Sequence, residues 1–323
     1  MGKFLNAEKK RQAAFKSSSE YFSEPARADG VYHGHAYPFT LPTTNAGENL
    51  YAPIRQSALN YFLQHGVHWH ALNHLCSSQV CCVNFLFPFM DQPRALADLL
   101  RPKFPALRRM LPIETEDQFV AFEWIGAENY LGERVSRSGH RTRGANFTSA
   151  DAMVMFERQD GKRQIVLIEW KYTESYSSIS KKVSVRGTDR SLIYAHLYDR
   201  DDCPLDKTVL PHYDALFYEP FYQFMRQQFL AQEMERAHEL GADVVSLLHI
   251  APAHNHEFTT ITSPDLRGLG SSVTEVWKRL VKASDRFASV STETLFGKFS
   301  VSEYPDLARW SDYVNARYVW LSQ

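Results

Sequence analysis

Apolar residues recur at three- and four-residue spacing from residue 57 to about 89, the period of a helix with one buried face. A second helical pattern runs from 91 to about 110 and is broken near Pro102 and Pro105. The period then shortens. "QFVAFEWIG" (118–126), "DAMVMFER" (151–158) and "RQIVLIEWKY" (163–172) read as three strands, the last two joined by the turn signal "QDGK". A long polar segment follows to about residue 207. The helix "EPFYQFMRQQFLAQEMERAHELG" comes next, started by Pro220 and closed by Gly241. "DVVSLLHIAP" (243–252) is a further strand, and the chain from about 271 reads as mainly helical. Residues 1–45, punctuated by Pro25, Gly30, Gly34, Pro38 and Pro42, read as a polar arm. Helices, three strands, a helix, a strand and helices predict an α/β domain around a mixed central sheet flanked by helices, over residues 46–323.

Composition narrows the class. The 323 residues are 44% hydrophobic and 23% charged, ordinary for a globular chain. The formal net charge of -1 means that any nucleic-acid surface must be local. Cys76, Cys81, Cys82 and Cys203 form no CxxC pair, and the first three, in an apolar stretch, read as reduced core thiols. The first twenty residues lack the apolar run of a secretory signal, "KFLN" does not suit myristoylation at Gly2, and no 18-residue apolar run exists. The expectation is a cytoplasmic protein with no membrane partner.

The run from Ile165 to Ile168 leads straight into Glu169, Trp170 and Lys171. Residues two apart on a strand share a face, so Glu169 and Lys171 stand side by side where the strand leaves the core. The preceding hairpin decides what faces them. A two-residue Asp160-Gly161 turn sends Asp151 to the opposite face. A three-residue loop, Gln159-Asp160-Gly161, pairs Arg158 with Lys162 and Asp151 with Glu169, and puts Gly161 at the left-handed position. That loop is the prediction. Two carboxylates directly across a strand pair repel each other. A cation between them removes the penalty, and such oxygens suit Mg²⁺ or Mn²⁺, completed by water and phosphate. A lysine beside the ion can orient or deprotonate its water, which fits phosphodiester hydrolysis.

Asp151 followed by Glu169-Trp170-Lys171 on the next strand resembles the PD-(D/E)XK nuclease superfamily, the restriction-endonuclease-like proteins. The resemblance covers about residues 57–255 and includes the order of elements. It implies a restriction-endonuclease-like core with extra N- and C-terminal helices and a Mg-dependent deoxyribonuclease, with a restriction or defence role as a family-level guess. It implies Asp151, Glu169 and the Trp170 carbonyl as metal ligands and Lys171 as the catalytic lysine. Double-strand cutters of this type often pair two sites, so a homodimer is a further expectation. Two departures stand out. Ala150 occupies the position of the family's proline, and the 57–89 segment has no glutamate where the first core helix often carries one. Glu123 or Glu133 is the candidate substitute.

Two basic segments flank this motif. One carries Arg134, Arg137, Arg141 and Arg143; the other carries Lys181, Lys182, Arg186 and Arg190. Both are candidate grips on the phosphates of DNA. On the helix after the motif, Phe221, Phe224, Met225 and Phe229 should pack on the sheet, leaving Gln223 or Gln227 to face the site. The tripeptide His254–Asn255–His256 lacks the surroundings of the nuclease finger its letters suggest. Three rivals remain: a non-catalytic nucleic-acid-binding module on the same fold; a zinc hydrolase built on the histidines of 65–74, where His70 and His74 lie one helical turn apart; and a purely structural protein, which leaves the repulsive Asp151–Glu169 pair unexplained.

Overall fold

In the computed structural model, residues 2–135, 140–145 and 147–322 are described. In chain order the elements are α1 (Lys3–Ser18), the hairpin β1 (Gly30–Tyr32) and β2 (His35–Tyr37), α2 (Arg55–Gln64), α3 (Ser78–Leu86) and α4 (Pro93–Leu100). Then come β3 (Leu107–Leu111), β4 (Val120–Trp124), β5 (Ala150–Arg158), β6 (Arg163–Trp170), α5 (Ser191–Tyr198) and α6 (Phe221–Arg236). The last are β7 (Val244–Ala251), α7 (Val273–Leu280), β8 (Phe287–Ser291), α8 (Thr292–Gly297) and α9 (Ala308–Arg317).

Six strands form one mixed sheet in the order β3-β5-β6-β7-β8, with β4 also on β5. β3 and β4 share one edge of β5, β3 pairing with residues 155–158 and β4 with 150–154. β5 and β6 are antiparallel, whereas β6–β7 and β7–β8 are parallel. Parallel neighbours need crossovers, supplied by α5 with α6 and by α7. Helices therefore cover both faces, which is why β6 is a continuous apolar run rather than an alternating one. Val166, Ile168 and Trp170 enter one core with α2, α3, α4 and α9. Ile165 and Leu167 enter the other, with Phe224, Met225 and Phe229 of α6 and Trp277 of α7. Glu169 and Lys171 continue the second set onto the α6 face. Among the described residues no helix is long and apolar enough to cross a membrane. All four cysteines are buried and free.

The structure departs from the sequence pattern in four places. The helix expected over 57–89 is two helices joined by a loop, where Gly66 and Ala71 both take left-handed backbone and Ser77 caps α3 through the Val80 N–H. The helix expected to reach 110 stops at Leu100, and residues 107–111 form edge strand β3 with a register shift between Leu107 and Arg109. The polar and C-terminal segments hold α5 and β8, the latter spelled with small residues, "FASVS". The first 45 residues carry α1, whose Phe4, Glu8, Gln12 and Lys16 are buried. Three of those four are polar, so no apolar stripe announces the helix. They are satisfied inside: Tyr172 Oη donates to Glu8 at 2.5 Å, Gln12 donates to Tyr172 Oη at 3.1 Å, and Lys16 donates to the Ala28 carbonyl at 2.9 Å.

Candidate active site

The β5–β6 hairpin has the three-residue loop. Arg158 N–H donates to the Lys162 carbonyl at 2.8 Å, Gly161 N–H donates back to Arg158 at 3.0 Å, and Gly161 has φ +82°. The ladder from Glu157↔Arg163 to Ala152↔Ile168 continues one step to place Asp151 across from Glu169. Asp151 Oδ2 accepts the Trp170 N–H at 2.7 Å. A strand residue points its N–H and C=O to the same side, so the Trp170 carbonyl lies on the Asp151 edge, where Ser78 Oγ donates to it at 3.3 Å. On the other edge, Lys171 N–H donates to the Ile250 carbonyl at 2.8 Å.

Glu169 is 2% exposed and Lys171 6%. The Lys171 ammonium pairs with Glu169 Oε1, and Gln227 of α6 donates to Glu169 Oε2. Gln227 also donates to the Ser149 carbonyl at 3.1 Å, tying α6 to the start of β5. Of the two glutamines considered from sequence, this is the one turned to the motif; Gln223 is half-buried and has no side-chain hydrogen bond among the described residues.

Glu123 joins the group. It sits in β4 with φ +51°, a left-handed residue inside a strand, between partners opposite Ala152 and Ala150. Gln79, in the first turn of α3, donates to it at 2.7 Å, and Ser149 Oγ donates at 2.9 Å. Burial raises its carboxyl to about 7 against the pull of those two donors, with the Glu169 charge adding to the rise. Glu133 is engaged elsewhere: it accepts from Thr148 N–H (2.7 Å), Thr148 Oγ1 (2.6 Å) and Tyr194 Oη (2.8 Å), bracing the approach to β5.

Burial lifts the Asp151 carboxyl well above its ordinary range and the Glu169 charge lifts it further. Burial works against the Lys171 ammonium, but Glu169 beside it outweighs that and holds its pKa well above that of a free lysine. Two carboxylates and one ammonium thus share a pocket that does not carry both negative charges comfortably. Among the described residues no set of three or more His, Cys, Asp and Glu side chains gathers to hold an ion. The oxygen set here is Asp151, Glu169 and the Trp170 carbonyl. Mg²⁺ fits so small a set, because it keeps several waters and takes one or two carboxylates together with substrate phosphate. Asp151 Oδ1 has no hydrogen-bond partner among the described residues, so one oxygen of the set is free to receive an ion.

The basic segments divide. Arg141 gives its guanidinium to the carbonyls of Ile125, Gly126 and Ala127. Arg143 pairs with Glu114 at 2.6 Å and lies 4.5 Å over the Trp124 ring. Both are spent on the fold rather than held open for phosphate. Arg137 lies outside the described residues. Lys182 pairs with Asp214 at 2.7 Å. Arg134, Lys181 and Arg186 line a cleft beside α6. Arg226, which lines the same cleft and donates to Thr148 Oγ1 at 3.2 Å, escaped the sequence reading. Its only signal is its place next to Gln227.

The rings of His68 and His70 meet at 5.1 Å, but among the described residues the histidines do not gather into a metal set. His65 faces Glu114 at 3.2 Å, His70 contacts the Gly144 carbonyl, and His74 packs between the rings of Tyr32 and Phe39. Burial lowers His74 to about 4, and Cys76 N–H donates to its Nδ1 at 3.1 Å. With 65–77 a loop, the helical spacing of His70 and His74 does not exist.

A mixed sheet in this order, with α3 on one face and α6 on the other, is a restriction-endonuclease-like core. The family model described as Restriction Endonuclease associating with ARP matches residues 9–319, and the chain belongs to that family. The match runs beyond the 57–255 core and takes in most of α1 and all of α9. No curated protein and no solved structure matches the chain.

Proposed function

We propose that the chain is a metal-dependent nuclease of PD-(D/E)XK type that hydrolyses phosphodiester bonds of DNA, working in the cytoplasm in restriction or defence. The carrying observation is the hairpin register that sets Asp151 across from Glu169 with Lys171 on the same face. Asp151, Glu169 and the Trp170 carbonyl would hold Mg²⁺ or Mn²⁺. Bound there, the ion supplies an activated water and neutralises charge on the phosphate. Lys171, held protonated by Glu169, acts as a cation that orients the water and stabilises the charge growing on the phosphoryl oxygens. Gln227 fixes the Glu169 carboxylate, and Glu123, held by Gln79 and Ser149 in β4, adds a third carboxyl near the pair as a further candidate ligand. Arg134, Lys181 and Arg186 hold neighbouring phosphates. The family description, a restriction endonuclease associating with ARP, supports an association of this chain with ARP.

The test is incubation of the pure chain with supercoiled plasmid and with single-stranded DNA, in Mg²⁺, in Mn²⁺ and in EDTA. Cutting in either metal and none in EDTA is expected. DNA binding without cutting in any metal would leave a binding module instead.

A further inference from the structure

A cleft of about 1250 Å³ opens beside the candidate site, between α6, the start of α5 and the segment 179–190. That segment folds back on itself: Val183 bridges to Asp189, and Arg190 N–H donates to the Lys182 carbonyl at 2.7 Å. The cleft is fastened to the motif at two points. Arg226 on its wall directly precedes Gln227, which holds Glu169. Thr148, which receives Arg226, lies three residues before Asp151.

Five cationic side chains line this cleft against two carboxylates, Glu133 and Glu219. Glu133 is spent on Thr148 and Tyr194. Glu219 is not: its side chain makes no hydrogen bond among the described residues, and Oε2 is buried without a partner. Arg226 Nε is likewise buried and unpaired. Tyr222 carries two guanidinium groups, Arg226 at 4.6 Å and Arg190 at 5.9 Å from its ring centre. Phe147 lines the cleft as well.

A carboxylate that offsets the charge of Arg226 yet makes no hydrogen bond of its own is the informative feature. It repels a phosphate that enters the groove. A carboxylate only accepts hydrogen bonds, and it accepts two side by side. Guanine offers two adjacent donors on its Watson–Crick edge, the N1–H and the N2 amino group. Adenine and cytosine set an acceptor beside their amino group, and thymine offers one N–H between carbonyls. Aromatic rings and guanidinium planes are the surfaces on which an unstacked base rests.

We propose that this cleft receives one base of the substrate, drawn out of its stack, and that Glu219 selects guanine there while Arg190 and Arg226 hold the nucleotide's phosphate. Its position beside the cut phosphate rests on the nuclease reading. Its chemistry does not, and is tested without cleavage.

The experiment measures binding of dGMP, dIMP, dAMP, dCMP and dTMP to the full chain in EDTA, by calorimetry, for the native protein, Glu219→Gln, Arg190→Ala and Gln223→Ala. dGMP is expected to bind tightest, by roughly ten- to a hundredfold over the other standard nucleotides, the range of one good bidentate contact. dIMP lacks the N2 amino group and should lose most of that advantage. Glu219→Gln should abolish the preference, Arg190→Ala should weaken all five ligands, and Gln223→Ala, which does not line the cleft, should leave the preference intact. Equal affinity for all nucleotides, or dIMP binding as tightly as dGMP to the native chain, would overturn the proposal, and the dIMP comparison needs no variant to fold. DNA cutting without a guanine preference sinks the pocket alone, and a guanine preference without cutting sinks the nuclease reading alone.

Discussion

Gln227→Met probes the bond between α6 and the motif. Gln227 gives its amide to two acceptors, Glu169 Oε2 and the Ser149 carbonyl. Glu169 is only 2% exposed, so water does not replace the lost donor. A hydrogen bond to a charged group contributes about 1.5–3 kcal/mol and a neutral one about 1 kcal/mol. Methionine also removes Gln227 Oε1, which is buried without a partner, and that relief returns about 1 kcal/mol or more. The net loss is then about 2 kcal/mol, or a fall in melting temperature of roughly 3 °C for a chain of this size. Gln223→Ala on the same helix removes no hydrogen bond and should stay within about 0.5 kcal/mol of native. Thermal melting in EDTA reads both. Adding Mg²⁺ should narrow the gap for Gln227→Met, because a bound cation supplies the compensation that the amide gave. A Gln227→Met variant that melts with the native protein, beside a Gln223→Ala variant that does not, would refute the placement of α6 against the end of β6.

Three further outcomes follow from named contacts. Tyr172→Phe strips a donor from the buried Glu8 carboxylate and should lower the urea midpoint by an amount worth about 1.5–3 kcal/mol, with unchanged slope. In EDTA, Glu123 takes stability away as pH rises from about 4.5 to about 7, because the folded carboxyl keeps a proton that the unfolded chain releases, while His74 and His249, both lowered by burial, act in the opposite sense. The Glu123 contribution is therefore read as the difference between the native chain and Glu123→Gln, which should gain up to roughly 3 kcal/mol relative to native between those pH values, by denaturation at a series of pH values; equal slopes for the two proteins would count against it. Arg186→Ala should weaken DNA binding alike for every sequence and reduce the salt slope by about 1, measured by titration at several ionic strengths.

The motif was legible because it is local. Four branched apolar residues followed by Glu169 and Lys171 fix the strand and its face, and the need for Gly161 at a left-handed position chooses the loop that brings Asp151 across. The helix α6 was legible for the same reason, with Pro220 before it and Gly241 after it. What hid was non-local or polar. The inward stripe of α1 is Glu8, Gln12 and Lys16 behind a single Phe4, and only their partners in distant segments make it a core face. Glu123 looked like one more acid on a strand. Its role comes from a left-handed backbone and from Gln79, residues that no spacing rule connects. Arg141 and Arg143 read as phosphate grips because charge is visible in sequence, while the carbonyls and the Glu114 that hold them are not. The His70–His74 pair failed with the helix that was to space it, since Gly66 and Ala71 turn that stretch into a loop.

The most direct measurement compares DNA cleavage and DNA binding for the native chain, Asp151→Asn and Lys171→Ala in Mg²⁺. Asp151→Asn removes a charge that burial and Glu169 disfavour and should not melt below the native chain. Lys171→Ala leaves the buried Glu169 carboxylate without its cation, should melt lower, and is assayed below its own melting temperature. The account predicts that both variants keep DNA affinity while cutting is lost. Cutting that persists in Lys171→Ala, with the metal requirement intact, would contradict it and move the chemistry away from the end of β6.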